Sequence, residues 1–96
     1  MYKVVLDKQA IKDNDKVMRS NYSKKVMSLL DLIEEDPFAT PPAYKPLSFN
    51  LRGYYSRRVN RQHRIVYSVE MGKIVEGGKI YEGLVRVHRL WTHYGE

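Results

Sequence analysis

The chain has 96 residues, 43% of them hydrophobic and 29% charged, with no cysteine. That composition fits one compact domain over residues 1–96 and excludes disulfides, thiolate metal sites and a cysteine nucleophile. Seventeen Lys and Arg against eleven Asp and Glu leave a net charge of +6, which suggests a polyanionic partner through counterion release and equally suits a chain that is merely soluble. A core of this size buries about two-thirds of the surface that the unfolded chain exposes, so a surface site is expected rather than a deep pocket. No apolar run approaches the roughly 20 residues that span a bilayer, and charges follow Met1 to Leu6 too closely for a signal peptide; a cytoplasmic location with no membrane contact is expected.

Tyr2 to Leu6 (YKVVL) is short, β-branched and bounded by Asp7, which predicts a first strand with the aspartate placed to cap a helix. That helix runs from Lys8 to Met18, with Ala10, Ile11, Val17 and Met18 as its apolar stripe, and a turn falls near Ser20-Asn21. Tyr22, Val26, Leu29, Leu30 and Ile33 then recur at three- and four-residue spacing, predicting a second helix that stops before Pro37. Thr40-Pro41-Pro42 reads as an irregular loop. Beyond Gly53 the period changes to two, and three antiparallel strands follow at Tyr54–Val59, His63–Glu70 and Leu84–Thr92. Asn60-Arg61-Gln62 is the first turn, and the stretch from Met71-Gly72 to Gly83 is a long glycine-bearing connection. The expected fold is α+β: a strand, two helices, then a three-stranded meander forming one sheet whose face the helices cover.

Arginines crowd the first hairpin: Arg57, Arg58 and Arg64, with Arg61 at its turn. Side chains alternate along a strand, so Arg58 and Arg64 share a face only when directly paired positions sum to an even number. On a shared face they form a bidentate phosphate clamp able to hold a pentacoordinate transition state; otherwise one pairs with an acid of the same domain and the rest are solvated. Of the three histidines, His63 beside a turn and His88 in mid-strand read as structural. His93, in Trp91-Thr92-His93-Tyr94 at the chain's end, is placed to give a proton to a departing oxygen at neutral pH. Tyr54, Tyr55, Trp91 and Tyr94 are either core aromatics or stacking faces for unpaired RNA bases, with Tyr94 the foremost candidate for contact. The spacings hold no metal-ligand cluster, no phosphate-cradling glycine loop and no Ser-His-Asp arrangement.

Taken together, Pro37-Phe38, Lys45-Pro46-Leu47, Asn50-Leu51-x-Gly53-Tyr54-Tyr55-Ser56-Arg57-Arg58-Val59, His63-Arg64-Ile65-Val66-Tyr67 and Trp91-Thr92-His93-Tyr94 resemble the YoeB/Txe group of the RelE toxin superfamily over nearly the whole chain. The resemblance implies a RelE-type fold and a metal-independent endoribonuclease that cuts messenger RNA in the decoding site of the 70S ribosome. There a 2′-hydroxyl attacks the adjacent phosphate and leaves a 2′,3′-cyclic end. It implies catalytic roles for Arg58 and Arg64 on the phosphorane, His93 as the acid for the 5′-oxygen and Tyr94 in ordering the substrate. Lys45, Arg57, Arg61, Tyr55 and Trp91 are the expected RNA contacts. No cofactor is expected. The implied partners are an antitoxin of the YefM/Axe kind, operator DNA only through that antitoxin, and often a second toxin copy.

Two departures from the family stand out. The position before Pro46 usually carries a glutamate acting as general base, and here it is Lys45, which when protonated cannot accept a proton. Another group acts as base, or positioning carries catalysis, or the enzyme is attenuated. The segment Ile74–Gly83 is longer than the usual connection and brings Glu76 and Glu82 as possible substitutes. A non-catalytic RNA-binding or operon co-repressor module neutralised by an antitoxin would use the same basic sheet.

Overall fold

A computed structural model describes residues 1–93, with backbone only at Phe49. In chain order it forms β1 (Lys3–Leu6), α1 (Lys8–Met18), α2 (Ser23–Glu35), β2 (Tyr44–Pro46), a single 3-10 turn (Phe49–Leu51), β3 (Tyr54–Arg58), β4 (Arg64–Glu76) and β5 (Lys79–Thr92). The five strands make one sheet in the order β1-β5-β4-β3-β2. β1 runs parallel to β5, and the other neighbours are antiparallel. The α+β architecture is the expected one, with β2 as an additional short edge strand that its Tyr-Lys-Pro sequence did not announce.

Ala10, Val17, Val26, Leu29 and Ile33 of the helices close over Ile65, Tyr67, Val85, Val87 and Leu90 of the sheet, all of them buried. The α1 stripe differs from its expected composition. Ala10, Asp13 and Val17 are the buried positions, whereas Ile11 and Met18 are 58% and 63% exposed. The central seat on the core-facing side is therefore taken by a carboxylate, which a search for apolar periodicity passes over. Asp7 does occupy the residue before α1 but makes no side-chain cap bond; its carboxylate instead accepts from His88 Nδ1 at 2.7 Å. No helix among the described residues is long and apolar enough to cross a membrane.

The long connection expected after Met71 is a correction. β4 and β5 continue as a ribbon to a two-residue turn, with Glu76 paired to Lys79. Gly77 and Gly78 both take positive φ, +57° and +78°, the conformation that a tight type I′ hairpin demands and that glycine adopts without steric cost. Gly72 lies inside a register shift of the ribbon, and Gly83 is needed because a Cβ there would stand 2.5 Å from the Glu70 carbonyl oxygen and 3.2 Å from the Tyr2 ring. Three of the glycines that suggested a loop are thus a turn and a close approach inside continuous strands.

Arg57 is wholly buried. Its Nε donates to Tyr67 Oη at 3.1 Å, Nη1 to the Pro42 carbonyl at 2.7 Å, and Nη2 to the carbonyls of Pro37 and Ala39 at 3.0 and 2.7 Å. Tyr67 Oη in turn donates to Pro37 O at 2.7 Å. The guanidinium thereby replaces the backbone partners that the proline-containing segment after α2 lacks. Arg57→Ala should lower the unfolding free energy by about 3 kcal/mol or more, since several buried acceptors at about 1–3 kcal/mol each lose their donor. Urea denaturation measures it, and a loss under about 1 kcal/mol would contradict the role assigned to this side chain.

Candidate functional site

β3 and β4 pair so that Tyr55 faces Tyr67, Arg57 faces Ile65 and Arg58 faces Arg64. Paired positions sum to an even number, so Arg58 and Arg64 project from the same face, opposite to Arg57. Lys45 of β2 is the direct partner of Ser56 and stands on that face too. Arg64, only 8% exposed, donates from Nη1 to Ser56 Oγ at 3.3 Å. These side chains, with Lys25, Tyr44 and the Pro42-Ala43 backbone, line an open cleft of about 510 Å³. Four of its described lining residues are cations, Lys25, Lys45, Arg58 and Arg64, and none is a carboxylate. Such a cleft suits a phosphodiester, because paired guanidiniums offer planar, charge-assisted donors to its oxygens.

His93 is exposed and follows Thr92, the direct partner of Arg64. Its ring meets the His63 ring edge-on at 5.0 Å between centroids and does not line the basic cleft. His63 is stacked on Trp91 at 3.9 Å, and its Nδ1 lies 3.2 Å from Asn60 Oδ1. His88 has a structural setting: Nδ1–H donates to Asp7, Nε2 accepts from Ser68 Oγ at 2.9 Å, and the ring stacks on Tyr54 at 4.6 Å. The acidic partner of Nδ1 defines that tautomer.

Several expected contacts fall elsewhere. Arg57 and Tyr55 are corrections, for both project from the helix-covered face. Arg57 is sealed inside, and Tyr55 packs among Phe38, Tyr44 and Tyr67 with centroids 5.2 to 5.9 Å away. Arg61 and Trp91 border a second cleft, beside His63. Tyr94 lies outside the described residues. Glu76 pairs with Lys3 and Glu82 with the amino group of Met1, near the turn end of the β4–β5 ribbon and away from Arg64 and Thr92 at its other end, so neither substitutes for a base at Lys45. Among the described residues no three His, Asp or Glu side chains gather as metal ligands.

Asp13 is the residue that sequence reasoning missed. From inside α1 its Oδ2 accepts from Arg89 Nε at 2.8 Å and from the backbone N–H groups of Leu90 and Trp91 at 3.0 and 3.3 Å, while Oδ1 accepts from Arg89 Nη2 at 3.2 Å. Burial pushes this carboxyl up, but the hydrogen bonds and charge of Arg89 and the two amides outweigh it and hold it below the usual carboxylate range. The register of β5 against β4 shifts on both sides of Arg89, and Asp13 takes the amides that this irregularity releases. The available signal was an aspartate at the centre of an i, i+3, i+7 buried row.

A mixed sheet backed by two helices, with Lys45, Arg58 and Arg64 gathered in one cleft, defines a small α+β protein with a basic surface site. Residues 6–78 match the family described as the YoeB-like toxin of bacterial type II toxin-antitoxin systems, and the chain belongs to that family. It is 44% identical over 46 residues to the toxin YoeB of Synechocystis, a stretch that is 48% of this chain and 54% of that relative, so the match spans about half the length of the curated relative. Over the full fold it is similar to the YoeB dimer from Staphylococcus aureus, with a TM-score of 0.73, 26% identity and 97% and 98% of the two chains covered. The heterotetrameric YoeB-YefM toxin-antitoxin complex of the same organism gives 0.70, 26%, 98% and 99%.

Burial lowers the His63 imidazole below its ordinary value, with the neighbouring His93 and Lys16 adding to the effect. The folded state therefore prefers the neutral ring, and this contribution is complete above about pH 6.5 and is lost as pH falls below it. The melting temperature should drop between about pH 7 and pH 5, and drop less in His63→Phe. Parallel melting curves for the two proteins across that range would rule the assignment out.

Proposed function

We propose that this chain is a ribosome-dependent messenger RNA endoribonuclease acting in the cytoplasm as one toxin domain. The observation that carries the reading is the register of β3 on β4, which makes Arg58 and Arg64 direct partners on one face, together with Lys45 in the same cleft. The scissile phosphate sits across the two guanidiniums. The 2′-hydroxyl oxygen attacks phosphorus, the bond to the 5′-oxygen breaks, and a 2′,3′-cyclic phosphate and a 5′-hydroxyl result. Arg58 and Arg64 stabilise the extra negative charge of the phosphorane, and a protonated His93 delivers the proton that the 5′-oxygen takes up. Tyr94 orders the substrate. The 2′-hydroxyl proton passes to a base outside the described lining of the cleft, where Lys45 supplies charge instead.

YefM in the Staphylococcus aureus complex supports a like antitoxin as the neutralising partner, and the YoeB dimer supports self-association. Operator DNA is reached only through the antitoxin. A second reading, a catalytically weakened RNA-binding or co-repressor module, is favoured by one observation, the lack of a carboxylate among the described residues of the cleft.

Primer extension on messenger from expressing cells distinguishes the two readings: codon-phased 3′ breaks that vanish without ribosomes are expected, and intact transcripts would leave only the binding module. His93→Ala should stay folded by circular dichroism and lose about a hundredfold or more in cleavage, the scale of a general acid. Lys45→Glu should increase cleavage in a translating extract by restoring a proton acceptor, whereas a decrease would make the lysine itself part of the site.

A further inference from the structure

The second cleft, of about 680 Å³, is bounded by Tyr22, Asn60, Arg61, Gln62, His63 and Trp91. Its size falls in the range of small-molecule sites. Trp91 forms its aromatic wall, stacked on His63 at 3.9 Å and tilted against Tyr22 at 6.0 Å between centroids. Tyr22 is 38% exposed, although it begins the apolar spacing that runs into α2. The opposing wall is the turn between β3 and β4. Asn60 Oδ1 accepts from the N–H groups of Gln62 and His63 at 2.8 and 2.7 Å, which rigidifies the turn and presents the Gln62 amide and the Arg61 guanidinium at the rim. Aromatic rings beside a side-chain amide and a cation are the groups that bind an unstacked base, by stacking and by hydrogen bonds to its edge.

The location sets which base. His93 touches His63, a wall of this cleft, at 5.0 Å, and the proton of His93 goes to the 5′-oxygen, which belongs to the nucleotide on the 3′ side of the cut. We propose that this cleft is a nucleobase subsite for the nucleotide immediately 3′ of the scissile phosphate, with Tyr22 and Trp91 as the stacking wall and Gln62 as the reader of the base edge. The choice of the 3′ nucleotide rests on the nuclease reading above; the aromatic cleft does not.

Trp91 is the chain's one tryptophan, so its fluorescence reports the subsite directly. The probe is a dinucleotide phosphate with a 2′-O-methyl group on the 5′ sugar, which cannot be cut. Saturable quenching is expected with both bases present, weakened about fivefold or more when the 3′ nucleotide is abasic, and much less when the 5′ nucleotide is abasic. Gln62→Ala at the exposed rim and Tyr22→Leu, checked for folding by circular dichroism, should each weaken the base-dependent part. Equal quenching by all three probes, or a loss that follows the 5′ base, would overturn the proposal. Primer extension separates it from the nuclease reading. Codon-phased breaks without base-dependent quenching remove the subsite alone, and base-dependent quenching without breaks removes the nuclease while the subsite stands as an RNA contact.

Discussion

A charged guanidinium at zero exposure is costly unless each of its donors is satisfied, and the arrangement around Arg57 meets that condition with three loop carbonyls and a tyrosine hydroxyl. The same condition fixes the hairpin. Only one register of β3 puts Arg57 against the Pro37–Pro42 segment, and a slip by one residue would carry it to the opposite face with its acceptors left buried and unpaired. Because Arg57 must face inward, Arg58 faces outward, and Arg64 opposite it does the same. The basic cleft is in this sense the reverse side of a structural requirement.

A second buried charge does comparable work at the other strand. Asp13 holds Arg89 and the amides of Leu90 and Trp91, which lets β5 depart from regular pairing just before its end. The departure brings Trp91 onto His63 and leaves His93 against the same ring. Both devices tie a helix or a loop to the sheet by a polar group inside the core, so the basic cleft and the aromatic cleft are held by interactions that neither cleft displays.

Local chemistry made much of the fold legible. Val26, Leu29 and Ile33 at helical spacing, Pro37 as a stop, and the alternation through residues 54–59 and 84–92 are statements about the residues' own periodicity, and the structure follows them. The parity argument for Arg58 and Arg64 was legible as a condition, its answer awaiting the register. The ribbon beyond Met71 was misread because glycine marks turns, bulges and close approaches alike, and only the neighbours decide among them: for Gly83 these are the Glu70 carbonyl across the ribbon and the Tyr2 ring, both distant in sequence. Tyr22 and the turn 60–62 carried no shared signal, since they meet only after α2 has packed.

What the sequence by itself determined is the inventory and the local rules: helix and strand types, the absence of thiol chemistry, the motifs that resemble a toxin family, and the set of arginines and histidines from which a site is made. What the tertiary structure alone decided is which of those groups face one another. Arg57 and Arg58 are adjacent and chemically identical, yet one is a core fastener and the other a cleft residue. Facing depends on strand register and on long-range polar contacts such as Asp13 to Arg89, energies that arise between distant segments and leave no trace in either segment alone.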